Sequence, residues 1–142
     1  MKQTPDVVFF IDRCLGKKPA VALRNAGATV EIHDDHFSQT LSDVEWLTQV
    51  GERDWVVLTK DQKIGYRAEE QLAVAQANVR LFALVGGGLS GDAMAQAFVN
   101  AFEGMKRFVR GNQAPFIAKV YRSGQVKEWK NQKELVKMLS NI

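Results

Sequence analysis

Short apolar runs rich in β-branched residues alternate along the chain with longer segments rich in Ala, Leu and charged residues. The apolar runs predict strands at residues 6–12, 28–33, 55–59 and 80–85. The segments between and after them predict helices at residues 17–26, 42–51, 67–78 and 92–110. Continuous apolar strands separated by helices are typical of a parallel sheet that is covered on both faces. The pattern therefore predicts an α/β fold.

The C-terminal part of the chain departs from this alternation. Residues 116–122 and 125–129 have strand-like sequences and flank Ser123-Gly124, a two-residue signal for a β-hairpin. A last helix is predicted at residues 131–139. We therefore expect a central, mainly parallel sheet that ends in a C-terminal hairpin and helix.

The composition is that of an ordinary globular domain. The chain has 142 residues, of which 46% are hydrophobic and 25% are charged, and a chain of this length forms one domain with a real core. Its single cysteine excludes an internal disulfide and agrees with a reducing cytosol. No apolar run approaches the roughly 18–20 residues that span a membrane, and the N-terminus lacks the apolar core of a signal peptide. We therefore expect a cytoplasmic protein with no membrane partner.

Two aspartates lie just beyond predicted strands. Asp12 ends the first strand, and Asp61 follows the third strand with one residue between them. Parallel strands end at the same edge of a sheet, which is where open α/β sheets bind ligands. Several carboxylates at one such edge suit a hard cation such as Mg²⁺ or Mn²⁺. We therefore predict a metal site that contains Asp12 and Asp61, with phosphate chemistry as its first candidate reaction.

Further acidic candidates come from two other segments. Ser42 and Glu45 have the spacing of a helix capping box, so the local pattern alone favours a capping role. The strand-end aspartates reverse that preference, because a hard cation needs a third carboxylate, which either Asp43 or Glu45 would supply. Asp34 or Asp35, in a polar loop predicted after the second strand, is a further candidate ligand. The two histidines of this segment lack the companion ligands of a zinc site.

Two other functional classes are disfavoured by missing partners. Gly86-x-Gly88-x-x-Gly91 matches the dinucleotide-binding pattern, but residues 104–127, where the ribose-binding acid is needed, contain no Asp or Glu. The glycines are therefore predicted to form a tight turn. A phospho-accepting receiver domain needs an adjacent acidic pair after the first strand, where this chain has Asp12 followed by Arg13.

The two halves of the chain differ in charge. Residues 1–61 hold 7 Lys/Arg and 10 Asp/Glu, a net charge of −3, whereas residues 62–142 hold 12 Lys/Arg and 6 Asp/Glu, a net charge of +6. This asymmetry suits either an enzyme that gathers a cation at one place and a polyanion at another, or a basic surface that only serves solubility. The candidate contacts to phosphate or RNA are Arg13, Lys60, Lys63, Arg67, Arg122, Lys127 and Lys130.

Three segments carry a resemblance to a known family. They are Phe10-Ile11-Asp12, Ser42-Asp43-Val44-Glu45-Trp46-Leu47 and Val57-Leu58-Thr59-Lys60-Asp61. In this order and spacing they resemble the PIN-domain metal-dependent nucleases, and most closely the VapC-like branch, whose members occur as toxins of bacterial toxin–antitoxin pairs. Three more segments look like that branch: Asp34-Asp35-His36-Phe37, Gly86 to Leu89 and Pro115-Phe116-Ile117-Ala118.

The resemblance implies a PIN-like three-layer α/β/α fold and an activity. Residues 1–112 would form the catalytic domain, and residues 113–142 a hairpin and helix appended to it. The implied protein is a Mg²⁺- or Mn²⁺-dependent endoribonuclease, the toxin of a toxin–antitoxin pair, that cleaves RNA by means of metal-activated water. Its partners would be an RNA substrate and a cognate antitoxin, and a homodimer is a further predicted state.

The resemblance also implies the ligands. They would fall on Asp12, on Asp43 or Glu45, and on Asp61, and we assign catalysis to Asp12, Glu45 and Asp61. Many relatives have another acid two positions beyond the third, where this chain has Lys63, so the number of metal ions stays open. The alternative function is a PIN-like module with weak or no catalysis that binds nucleic acid or a protein.

Overall fold

The computed structural model describes residues 7–60 and 67–141. Its strands are β1 Val8–Ile11, β2 Thr29–Ile32, β3 Val56–Thr59, β4 Arg80–Leu84, β5 Phe116–Val120 and β6 Val126–Lys130. They form one sheet in the order β2-β1-β3-β4-β5-β6. Neighbouring strands are parallel, with the exception of the antiparallel pair β5 and β6. The predicted α/β fold with a mainly parallel sheet is confirmed.

Helices cover both faces of this sheet. They are α1 Lys18–Asn25, α2 His33–His36, α3 Asp43–Glu52, α4 Ala68–Ala77, α5 Gly91–Gly111 and α6 Gln132–Leu139. One apolar core lies under α1 and α5 and includes Leu23 and Phe98. The other lies under α3, α4 and α6 and includes Val50, Val74 and Leu135. The molecule therefore has three layers, α/β/α.

Helix α5 shows how the apolar pattern produces this layering. Met94, Phe98, Phe102 and Met105 recur three or four residues apart, which places them on one face of the helix, and all four are buried. The Ser90 side chain accepts a hydrogen bond from the first turn at 3.1 Å. Because burial of one such side chain contributes about 1.5–3 kcal/mol, this face holds the helix on the sheet.

The segment after β2 differs from the prediction. We predicted that the strand ends at His33 and that a polar loop begins at Asp34, whereas residues 33–36 form the single helical turn α2. His33 is only 1% exposed. Its ring centroid lies 5.9 Å from that of Phe10 and 5.6 Å from those of Phe37 and Trp46. These contacts, two of them with the rings of the distant residues Phe10 and Trp46, draw the start of the segment into the core, which a polar local sequence does not reveal.

The C-terminal hairpin continues the main sheet. Strand β5 pairs with β4 along its whole length, from Arg80 opposite Phe116 to Leu84 opposite Val120. Leu135 of α6 is fully buried in the core beneath α4. The described residues after 112 thus share the sheet and the core with those before it, and a domain boundary at residue 112 stays a prediction.

Candidate active site

A cleft lies at the carboxyl-terminal edge of the sheet, where β1 stands between β2 and β3. Such a point, at which the strand order reverses, is where open α/β sheets bind ligands. The cleft has a volume of about 980 Å³. Its polar and charged lining residues are Asp12, Arg13, Cys14, His33, Gln39, Asp43, Lys60 and Arg67.

Asp12 is held in place by the strands on which it stands. It directly follows β1, and its backbone N–H donates a hydrogen bond to the Leu58 carbonyl of β3 at 3.0 Å. The Thr59 hydroxyl donates to the Asp12 carboxylate at 2.9 Å. The Cys14 thiol lies 3.5 Å from the same carboxylate oxygen. These contacts give the Asp12 side chain a defined orientation toward the cleft.

The electrostatic environment of Asp12 disfavours its ionised form. Burial raises the pKa of Asp12, the hydrogen bonds from Thr59 and Cys14 lower it, and the negative charge of Asp43 raises it again. Burial and the Asp12 carboxylate also raise the pKa of Cys14, so this thiol stays protonated. Within residues 7–60 and 67–141, neither Asp12 nor Asp43 forms an ion pair with a basic side chain.

Asp43 stands at the start of α3. The Ser42 side chain caps this helix by accepting a hydrogen bond from the Glu45 backbone N–H at 3.3 Å. The indole N–H of Trp46 donates to the Asp43 carboxylate at 2.9 Å. Helix α3 lies very close to α4 at Gly51. A Cβ added to this glycine would overlap with the backbone of α4. Capping, the indole and this close approach together place Asp43 beside Asp12.

The other predicted acids are placed differently. Glu45 and Asp35 are exposed, and neither is among the residues that line the cleft. Asp34, next to Asp35, forms an ion pair with Arg13, in which its carboxylate lies 3.4 Å from the guanidinium. Asp61 lies outside the described residues. Thus Asp12 and Asp43 are brought together, and the roles of Glu45, Asp35 and Asp61 stay predictions.

Three of the predicted basic residues line the same cleft. Arg13 is restrained by Asp34 and by a hydrogen bond to a backbone carbonyl at 3.4 Å. Lys60 directly follows β3, and Arg67 precedes α4. Lys63 lies outside the described residues. Three basic side chains thus line the same cleft as the two carboxylates, and none of the described ion pairs joins them to Asp12 or Asp43.

The predicted basic residues of the hairpin lie toward opposite ends of the sheet. Arg122 follows β5 at the carboxyl-terminal edge, and Lys127 stands opposite Lys119 near that edge. Lys130 stands opposite Ile117, toward the other end of the sheet. Its ammonium lies 4.0 Å from Glu134. The structure therefore brings Arg122 and Lys127 to the edge that carries the cleft, and places Lys130 away from it.

Sequence reasoning missed Glu70. This residue lies on α4 and lines a small cavity of about 40 Å³ together with Asp12, Asp43 and Thr59. Its carboxylate accepts a hydrogen bond from Arg67 at 2.8 Å. The only signal in the sequence is the Arg67-x-x-Glu70 spacing at a helix start, which looks like an ordinary surface ion pair. Even with Glu70, the described residues contain no group of three or more potential metal ligands in coordinating geometry.

A family model for a PIN-like domain matches residues 7–86, which is more than half of the chain. The chain belongs to the PIN-like domain family. Among curated proteins, this PIN-like chain is 28% identical over 119 residues to "Putative ribonuclease VapC45" of Mycobacterium tuberculosis, and the match covers 80% of this chain and 86% of that protein. No solved structure matches the chain at a significant level. The resemblance predicted from the strand-end and α3 motifs is confirmed.

In the described part of this PIN-like protein, none of the helices combines the length and the apolar character that crossing a bilayer requires. The longest helix, α5, is amphipathic and carries charged residues along its exposed face.

Proposed function

We propose that this PIN-like protein is a divalent-metal-dependent endoribonuclease that acts as the toxin of a toxin–antitoxin pair. The observation that carries the proposal is the pair Asp12 and Asp43, which share a cleft without a basic ion-pair partner in the described chain. Arg13, Lys60 and Arg67 line the same cleft and suit an anionic substrate. RNA is the favoured substrate because the related mycobacterial protein is named as a ribonuclease.

The donor set of the cleft fits Mg²⁺ or Mn²⁺. Both ions suit carboxylate and water ligands, and Mg²⁺ keeps several of its waters, so that one or two protein carboxylates together with substrate phosphates suffice. Asp12 and Asp43 would hold the ion, and Asp61 and Glu45 are the further predicted ligands. A bound ion of this kind lowers the pKa of a coordinated water and neutralises charge on a phosphate. It would also offset the burial and the repulsion from Asp43 that raise the pKa of Asp12.

The protein side chains would orient the reacting groups. Thr59 and Trp46 restrain the carboxylates of Asp12 and Asp43 through one hydrogen bond each. Arg13 and Lys60 line the cleft together with Asp12, where they would contact the phosphates that flank the cleaved bond. Fixed ligands and fixed phosphate contacts favour attack along one line on the scissile phosphate.

Cleavage of RNA by the purified protein tests the proposal. We expect single-stranded RNA to be cut in Mg²⁺ or Mn²⁺ and to stay intact in EDTA. Asp12→Asn should abolish cutting while RNA binding persists. The matched control is Asp54→Asn, at the opposite end of β3. Asp54 has a φ of 57°, which asparagine also adopts readily, so this variant should cut normally.

Metal binding gives a second measurement that does not depend on activity. Mn²⁺ should raise the melting temperature of the wild type and of Asp54→Asn by mass action. Asp12→Asn should show little or no such increase. Equal stabilisation of all three proteins by Mn²⁺ would contradict a metal site at Asp12.

A second candidate function is a PIN-like module that binds nucleic acid or a protein without cleaving it. Two observations favour it: the described residues alone do not form a three-ligand metal site, and Lys63 stands where many relatives have an acid. Highly purified wild type that binds structured and unstructured RNA in Mg²⁺ and Mn²⁺ but cuts none of it would establish this alternative.

The proposal also includes a protein partner. The toxin role requires an antitoxin, which would be encoded next to this gene, and we expect a cytoplasmic complex of the two. Co-expression with the neighbouring gene should relieve growth arrest by the wild type and yield a complex on size exclusion. The same column reports whether the protein alone is a homodimer.

A further inference from the structure

One wall of the cleft consists of backbone rather than side chains. Gly86, Gly87 and Gly88 follow β4 and line the cleft. Gly86 and Gly88 have φ values of 116° and 72°. Such values favour glycine, so the conformation of the turn explains why glycine stands at these two positions. Gly87 has no positive φ, and a Cβ built on it would meet no atom within 4 Å. Conformation and internal packing therefore leave position 87 open, and its bare backbone permits close approach by a ligand.

The hairpin turn beside this wall is basic and firmly held. Arg122 is exposed, and within the described ranges its side chain has no ion pair or hydrogen bond. The Gly124 N–H donates to the Tyr121 carbonyl at 2.8 Å. A Cβ at Gly124 would lie 2.7 Å from Asn100 of α5, so the turn is pressed against that helix. Because residues 104–127 contain no Asp or Glu, no acid from this segment offsets the charge of Arg122.

The glycine wall and the hairpin turn are neighbours on the same sheet edge. The Val85 N–H donates to the Val120 carbonyl at 2.9 Å, so the pairing of β4 with β5 continues up to the residue before Gly86. Asp12, Gly86 and Arg122 therefore follow one another at the ends of β1, β4 and β5. Three strand spacings separate β1 from β5, a distance of about 14 Å. A stacked single strand, at about 3.4 Å per nucleotide, covers this distance with about four nucleotides.

We propose that single-stranded RNA crosses this edge from Asp12 over Gly87 to Arg122, which binds a phosphate about four nucleotides from the cleaved bond. The identity of the polyanion rests on the proposed function. Charge complementarity supports the path. From the carboxylates along the sheet edge, a strand of RNA first meets the bare glycine backbone and then the unpaired positive charge of Arg122. An acidic protein segment is the competing occupant, and the experiment below separates it from RNA.

Binding of a fluorescent 12-nucleotide single-stranded RNA to the full-length protein in EDTA tests the path without cleavage. Arg122→Gln should weaken binding several-fold at low salt, and the slope of log affinity against log salt should fall by about 0.7. Lys130→Gln is the matched control, because it removes the same charge from the same hairpin at the other end of the sheet. This control should bind RNA like the wild type.

The glycine wall has its own pair of variants. Gly87→Val should weaken RNA binding several-fold without lowering the melting temperature, because the added side chain occupies the path and its Cβ meets no protein atom within 4 Å. Gly111→Ala, at the end of α5, is the control, since a Cβ there also meets no atom within 4 Å and lies outside the cleft. Neither variant should change Mn²⁺ stabilisation.

Several results would overturn the path. These are equal effects of Arg122→Gln and Lys130→Gln, unchanged binding by Gly87→Val, or no RNA binding by the wild type in EDTA. Binding of poly-glutamate that depends on Arg122, together with RNA binding that does not, would assign the turn to an acidic protein partner instead. The proposed function fails independently: RNA binding that depends on Arg122 with no cleavage in Mg²⁺ or Mn²⁺ supports the path and contradicts the nuclease.

Discussion

The two helix layers of this protein differ in what they bury. Among the described residues, the side chains buried under α1 and α5 are all apolar, and they include Phe98 and Met105. On the face of α3 and α4, the described chain buries polar side chains as well: His33, Thr59 and Gln71. Each carboxylate of the cleft receives a hydrogen bond from this second side, Asp12 from Thr59 and Asp43 from Trp46.

This difference shows how a small domain combines stability with a charged site. Apolar burial stabilises most where no polar group has to be desolvated, and α1 and α5 provide such a layer. The α3 and α4 layer accepts buried polar groups, since these orient the carboxylates. Stability and site geometry should therefore respond to mutations in different layers, and the following predictions test that separation.

The largest effect on stability is expected in the α1 and α5 layer. Phe98→Ala should lower the free energy of unfolding by about 3–5 kcal/mol, because it removes a fully buried ring and leaves a cavity. Urea titration measures this loss. The Mn²⁺ affinity of the folded variant should equal that of the wild type, and a large change in that affinity would show that the two layers are not independent.

In the α3 and α4 layer, we expect a mutation to cost less stability and to have a larger effect on the site. Trp46→Phe removes the indole donor to Asp43, and a hydrogen bond to a charged group contributes about 1.5–3 kcal/mol. Loss of a group that orients a metal ligand typically lowers metal affinity about 10–100-fold, so Mn²⁺ binding should weaken toward the lower end of that range.

Trp55→Phe serves as the control for this variant. Trp55 stacks on Phe10 in the same aromatic cluster, at a centroid distance of 5.9 Å, but makes no described contact with Asp43. Its variant should keep wild-type Mn²⁺ affinity. Equal weakening by both substitutions would mean that aromatic packing, rather than the indole hydrogen bond, holds Asp43.

The smallest effect concerns the pH dependence of stability without metal. Because the folded state raises the pKa of Asp12, the folded protein binds this proton more tightly than the unfolded chain does. Asp12 therefore destabilises the fold as the pH rises above the ordinary aspartate value of about 3.9. Asp12→Asn should gain stability relative to the wild type as the pH rises through this window, and the difference should be smallest below it.

Urea unfolding in EDTA between about pH 3 and about pH 7 measures this difference. Asp54→Asn is the control, because that residue lies at the other end of the sheet with a highly exposed side chain. Parallel pH profiles for wild type and Asp12→Asn would contradict the raised pKa. Saturating Mn²⁺ should remove the advantage of Asp12→Asn, since only the wild type gains the metal.

Local sequence was sufficient for the fold because the four inner strands, β1, β3, β4 and β5, are largely buried on both faces. A continuous apolar run such as the one before Asp12 has few alternatives to a central parallel strand. In α5, the apolar residues around Phe98 recur three or four positions apart, and this spacing fits a helix. The turn at His33 was mispredicted for the opposite reason. Its burial depends on aromatic rings contributed by β1 and α3, which local polarity cannot indicate.

The sequence by itself determined the order of strands and helices, the family motifs and the position of Asp12 at the end of a strand. These depend on hydrophobic period and on residues close together in the chain. Only the tertiary structure decided that Asp43 lines the cleft and Glu45 does not. It also decided that Glu70 joins Asp12 in a small cavity, and that Arg122 and Lys130 lie toward opposite ends of the sheet. These placements depend on how helices dock and on the register of paired strands, which arise from contacts between residues far apart in the chain.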